Sequence, residues 1–157
     1  PSFALPFAVQ RGVAEIAAVD RGFDAEGFLK GALMAHERVV EAFASGDRAE
    51  LKALLGPEVY AAFDGALASR ERAGLTAHSV FVKQMPAQMV AAALKGRNAE
   101  IDVRYESEMI QFSKNAAGEV VEGSESAVKR VVDRWTWLRD VRAGDPNWKL
   151  VDTDHGD

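Results

Sequence analysis

Gly74 divides this sequence into two stretches whose apolar residues follow different periods. Upstream of it, Phe28, Ala32, Ala35, Val39 and Phe43 recur at three- and four-residue intervals, the spacing that aligns side chains along one stripe of a helix. Asp24 stands where the N-cap of that helix belongs, since its carboxylate can accept one of the first backbone N–H groups. The Ser-Gly-Asp at 45–47 ends it. Asp47 with Glu50 has capping-box spacing and predicts a short helix carrying Leu51, Leu54 and Leu55. Pro57 suits the first turn of a further helix, with Tyr60, Phe63 and Leu67 inward and Gly74 as its stop. Downstream, "TAHSVFVKQ", "QMVAAALK", "NAEIDVRYESEMIQF", "VKRVVDRWTWLRDV" and "WKLVDTD" alternate or carry β-branched runs and read as strands. Gly96 and Arg97 join two of them at hairpin distance, and "NAAGEVVEGSES" reads as a loop or an irregular edge. The apolar parity moves from Ile101, Val103 and Tyr105 to Ile110 and Phe112, which predicts a bulge in that strand. Helices first and an antiparallel meander afterwards make an α+β domain: helices on one face of a curved antiparallel sheet of four to five strands, an arrangement that often encloses a cavity.

Ahead of the domain, Phe3, Leu5 and Phe7 alternate, and Val9, Val13, Ile16 and Ala17 then recur at helical spacing, with Pro6 as a first-turn residue and Gly22 as a stop. Residues 1–22 therefore read as an apolar arm and short helix, and residues 23–157 as a single domain.

All three tryptophans fall on two segments flanking one turn, "AGDPN" at 143–147. Residues two apart in a strand share a face, so Val131, Trp135, Trp137 and Val141 point one way while Arg130, Arg134, Thr136 and Arg142 point the other. Exposing one indole forfeits about 5 kcal/mol of burial, and three would forfeit as much as a domain's whole net stability. Trp135 and Trp137 are thus expected in the core or as the wall of a pocket. The opposite face, counted with Lys129 and Arg139, carries a local surplus of positive charge. It reads as a solvated face or a charge-protected edge, with attraction to anionic headgroups through Arg130, Arg134 and Arg142 as the sharper alternative.

Little in the sequence points to chemistry. His36, His78 and His155 are scattered without ligand spacing, and there is no Gly-rich phosphate loop or nucleophile elbow, so no metal, cofactor or catalytic residue is assigned. A net charge of −5 without a basic half gives no footprint for nucleic acid. "GFLKG" at 27–31 has small-xxx-small spacing, which predicts close helix packing. Asp133, on the face of Trp135, is the candidate base if a small isomerase or dehydratase is hidden here. The chain starts at Pro1 without a methionine or a signal pattern, which suggests that upstream sequence has been removed.

Three stretches together, "GPEVYAAF", "LKGRNAEIDVRYESE" and "DRWTWLRDVRAGDPNWKLVDT", resemble the Tim44-like domain family, named for the C-terminal domain of a peripheral subunit of the mitochondrial inner-membrane import machinery. A free-standing, alanine-rich version is similar to the family's bacterial relatives. The resemblance implies a cone-shaped fold of the nuclear-transport-factor-two-like, cystatin-like kind and residence at an inner membrane on its cytoplasmic side, peripheral or tethered by a missing N-terminal segment. It also implies membrane contact through the arm, with Phe3, Leu5, Phe7, Val13 and Ile16 as lipid-facing residues beside a hydrophobic pocket. The expected function is a non-enzymatic binding or scaffold domain linked to protein translocation or membrane-protein quality control. Its partners would be inner-membrane lipid, cardiolipin included, and an unidentified membrane protein or chaperone. The pocket walled by Trp135 and Trp137 would take a lipid-like ligand. Arg11 is the only basic residue from Phe3 to Val19 and is opposed by Glu15 and Asp20, so two other destinations stay open for the arm: its own domain, or a second copy in a homo-oligomer.

Overall fold

The computed structural model describes residues 5–156, so Phe3 lies outside the described residues. Four helices, α1 (Phe7–Val19), α2 (Ala25–Ser45), α3 (Arg48–Leu54) and α4 (Pro57–Arg72), precede six strands. These are β1 (Thr76–Gln84), β2 (Gln88–Lys95), β3 (Asn98–Lys114), β4 (Val120–Gly123), β5 (Lys129–Asp140) and β6 (Lys149–His155). The caps fall where the side chains predict them. Asp24 accepts from the Gly27 N–H, Asp47 accepts from the Glu50 N–H, and Pro57 opens α4.

β3 is the spine of the sheet. Its C-terminal half pairs with β1 and its N-terminal half with β2 along one side, while β5 runs antiparallel to it from Asn98↔Asp140 to Met109↔Lys129 along the other. β6 extends the sheet beyond β5, and β4 adds a short edge at the far end of β3. β4, which brings the sheet to six strands instead of the four to five expected, lies in the stretch read as a loop or irregular edge; four residues are too few for alternation to show.

The bulge expected in the third strand is not there. Its odd-numbered residues from Ala99 to Met109 face inward without interruption and are all buried. Ile110 and Phe112 are instead outer-face residues at the end of the sheet, where Phe112 stacks on His78, and that apolar end mimics a change of parity. The register shifts sit in the partner strands, each leaving one valine unmatched: Val82 in β1, Val90 in β2, Val121 in β4 and Val151 in β6. Extra residues placed there bend the sheet around the helices.

The core joins Leu29, Ala32, Val39 and Ala42 of α2 to Ile101, Val103, Tyr105, Trp135 and Trp137 of the sheet, with Leu51, Leu67 and Leu150 completing one end. The α1 helix lies on β2 with Val9 and Ile16 buried. Gly12 makes this approach possible, because a Cβ there would meet the Ala92 carbonyl oxygen at 1.8 Å. The helical part of the arm is thus seated on its own sheet. A Gly12→Leu substitution is expected to push α1 off β2, costing about 1–3 kcal/mol in overpacking. The lower melting temperature should be accompanied by faster tryptic cleavage at Arg11 and Arg21.

Candidate functional site

The turn from α1 into α2, α2 itself and the β5–β6 return enclose a side-opening cleft of about 790 Å³. One wall is α2, where Gly27, Gly31 and Ala35 form a stripe of small residues beside Phe28 and Ala32. The other wall is Trp137 and Arg139 of β5 with Pro146, Asn147 and Trp148, and Leu54 of α3 closes one end. Three aromatic rings form a cluster within it: Phe28 meets Trp148 edge-on at 4.8 Å between centroids, and Phe23 lies 6.0 Å from Phe28 and 6.2 Å from Trp148. The volume lies within the usual range for small-molecule sites, about 300–1,000 Å³.

The small stripe corrects one expectation. Among the described residues no helix packs on the two glycines of "GFLKG": a Cβ at Gly31 would touch nothing, and at Gly27 its nearest neighbours would be atoms of the Asp24 side chain. The glycines keep the cleft wall low instead of bringing two helices together.

Trp135 and Trp137 both turn inward, 5% and 2% exposed, but only Trp137 reaches the cleft. Its Nε1–H donates to the Tyr105 hydroxyl at 2.9 Å, and that hydroxyl donates to the Ala32 carbonyl at 2.9 Å. Burial pushes the Tyr105 phenol well above its ordinary range, against the pull of the Trp137 donor. Trp135 lies outside the cleft, 4.4 Å from the buried His36 ring, which also stacks on Tyr105 at 4.1 Å. His36 Nε2 lies 3.1 Å from a carboxylate oxygen of Asp133. The candidate base is therefore paired with a core histidine and does not line the cleft.

The remaining predicted residues are dispersed. Leu5 and Val13 are half-buried against the core, Ile16 is fully buried beneath α1, and Phe7 is 90% exposed at the start of that helix. Of α1 and its caps, only the C-cap Asp20 lines the cleft. On the outer face, Arg130 binds Glu106 through two nitrogens at 3.2 Å, and Arg134 binds Asp102 at 2.8 and 3.1 Å. Arg130, with Arg104, holds the Glu106 carboxyl below the usual carboxylate range. The surplus charge of β5 is thus matched by acids of β3. Arg142 is exposed at the turn, where its backbone N–H donates to Asp140.

Sequence reasoning missed the charged residue of the cleft. Arg139 belongs by charge with the basic face, yet it shares the parity of Trp135 and Trp137, and strand alternation alone sends it inward. Its Nη1 binds Asp20 at 2.5 Å, both side chains being mostly buried at 16% and 21% exposure. Arg38, the second guanidinium of the cleft, pairs with Glu50 of α3. Among the described residues no group of three or more His, Cys, Asp or Glu side chains could hold a metal, and no helix is long and apolar enough to cross a membrane.

A curved antiparallel sheet closed by helices around a side-opening cleft places the molecule in the nuclear-transport-factor-two-like class of α+β domains. The model of the Tim44-like domain matches residues 9–155, and the chain belongs to that family. No curated protein matches the sequence significantly. Among solved structures, the fold is similar to the intermembrane space region of the chloroplast protein ARC6, with a TM-score of 0.56 and 10% identity over 81% of this chain and 95% of that one. At that identity the likeness is one of fold alone.

Two measurements check the placement of these side chains. Iodide should quench a single class of tryptophan, which disappears in Trp148→Phe, because Trp148 is the half-buried indole while Trp135 and Trp137 are buried. Asp133→Ala should lower stability by about 1–3 kcal/mol in denaturant titration, since it strips a buried histidine of its hydrogen-bond partner.

Proposed function

We propose that this Tim44-like domain is a non-enzymatic binding module at the cytoplasmic face of a bacterial inner membrane, peripheral or tethered, whose cleft takes a lipid-like ligand while other surfaces engage a membrane protein or chaperone. The observation that carries the reading is the composition of the cleft: Phe23, Phe28, Trp137 and Trp148 around a low wall of Gly27, Gly31 and Ala35. Such walls suit an apolar chain, and the rim charges are engaged with one another. Asp24 caps α2, Asp20 binds Arg139, and Arg38 binds Glu50. The ligand-binding set is accordingly Phe23, Phe28, Trp137 and Trp148, with Trp135 packed beside Trp137 at 6.3 Å between ring centroids.

Membrane contact falls to the exposed Phe7 at the free end of α1, together with Leu5 and Phe3, while Val13 and Ile16 seat the helix. Arg142 is the cation best placed for a headgroup, because Arg130 and Arg134 reach one only by leaving Glu106 and Asp102. An isomerase or dehydratase built on Asp133 and His36 is the competing reading. It draws on their 3.1 Å contact, but it needs a substrate route to a carboxylate outside the cleft.

Cardiolipin-rich liposomes should float the protein, and Phe7→Ser should reduce the floated fraction several-fold; failure of the wild type to float removes the membrane part of the proposal. A neutral apolar probe such as N-phenyl-1-naphthylamine should bind with enhanced fluorescence. Gly31→Trp, whose side chain projects into open space, should abolish that binding without lowering the melting temperature. Turnover of small carbonyl substrates that is lost in Asp133→Asn would favour the enzyme instead.

A further inference from the structure

Arg139 is a cation on the inner, apolar face of β5, at the wall of the cleft. A guanidinium carries five N–H donors in a planar fork. Here Nη1 donates to Asp20 at 2.5 Å and Nε makes a long contact of 3.4 Å to the Asp145 carbonyl, so among the described residues Nη2 has no protein acceptor. Asp20, its counter-ion, is the C-cap of α1. A carboxylate is poorly placed there, because the carbonyl end of a helix carries partial negative charge. The other acid of the cleft, Asp24, lies at an N-terminus, where its charge is favoured and its oxygen is held by the Gly27 N–H.

We infer that Arg139 is the polar anchor of the cleft: it takes the anionic oxygen group, carboxylate or phosphate, of a single-chain amphiphile whose tail lies on Phe23, Phe28 and Trp148, and it does so in exchange for Asp20. The inference rests on the binding function proposed above and specifies the ligand's head. A mostly buried guanidinium with open donors binds carboxylate and phosphate in bidentate fashion, whereas a neutral alcohol can offer it only one weak acceptor. Because the displaced Asp20 ends α1, ligand binding also loosens the turn between α1 and α2, which contains the exposed Arg21. Occupancy of the cleft is thereby coupled to the seating of the arm.

The test is displacement of bound N-phenyl-1-naphthylamine by dodecanoate, dodecyl phosphate and dodecanol. In the wild type the two anions should displace the probe at concentrations at least tenfold below dodecanol, and their relative rank tells a fatty-acid-like head from a phospholipid-like one. Arg139→Gln should bring all three within about fivefold of one another, the usual worth of a single ordinary hydrogen bond. Asp20→Asn, which keeps Arg139 and removes its competitor, should tighten the anions several-fold while the dodecanol value stays put, so the inference remains exposed even if Arg139→Gln fails to fold. Tryptic cleavage at Arg21 should accelerate with dodecanoate and not with dodecanol. Equal displacement by all three compounds in the wild type, or no tightening in Asp20→Asn, overturns the role of Arg139 and leaves the apolar cleft standing. Failure of the probe and of every amphiphile to bind overturns the cleft reading as well.

Discussion

The height of α2 above the sheet is fixed by one hydrogen-bond chain, from the Trp137 indole through the Tyr105 hydroxyl to the Ala32 carbonyl. Each member is buried, so each link left unmade would expose a polar group to an apolar interior at about 1–3 kcal/mol. The chain bridges β5, β3 and the middle of α2, and it determines how far the helix stands from the strands beneath it. On one side of this fastening lie His36 and Asp133, which fill the space with a second polar contact. On the other side Gly27, Gly31 and Ala35 of α2 carry little or no side chain, and the gap persists as the cleft. The same fastening therefore accounts for both the closed half and the open half of the interior.

On the outer face of β5 and in the cleft, Arg130, Arg134, Arg139 and Arg38 are paired with acids. Arg130 and Arg134, which face outward from β5, lie against acids of β3, while in the cleft Arg139 of β5 lies against the α1 C-cap Asp20 and Arg38 of α2 against Glu50 of α3. An incoming charged group must then exchange with a resident one, which makes binding depend on which resident is held least well. The outer-face pairs of Arg130 and Arg134, whose guanidinium groups are exposed, contribute little to stability and can change partners without endangering the fold, whereas Arg139 and Asp20 are mostly buried.

Much of the architecture is legible in local chemistry. Helix starts at Asp24, Asp47 and Pro57 and the inward set of β5 follow from capping geometry and a two-residue alternation, both of which act over a few residues. What escapes is what depends on distant parts of the chain. Asp20 and Arg139 are separated by 119 residues, and nothing in either neighbourhood announces the other. The small stripe of α2 is ambiguous for the same reason: glycines at four-residue spacing permit a close neighbour but do not supply one. The expected bulge in β3 fails because an apolar outer face at the end of a sheet has the same signature as a shift in parity.

The four unmatched valines lie in the edge strands β1, β2, β4 and β6, while β3 itself pairs with β5 in unbroken register. Sheet curvature is therefore a property of the borders. Insertion or loss of a single residue at such a border could widen or narrow the hollow while every contact of the central strand with α2 was retained, so a lineage could retune what the domain holds by editing its margins and leaving its keel alone.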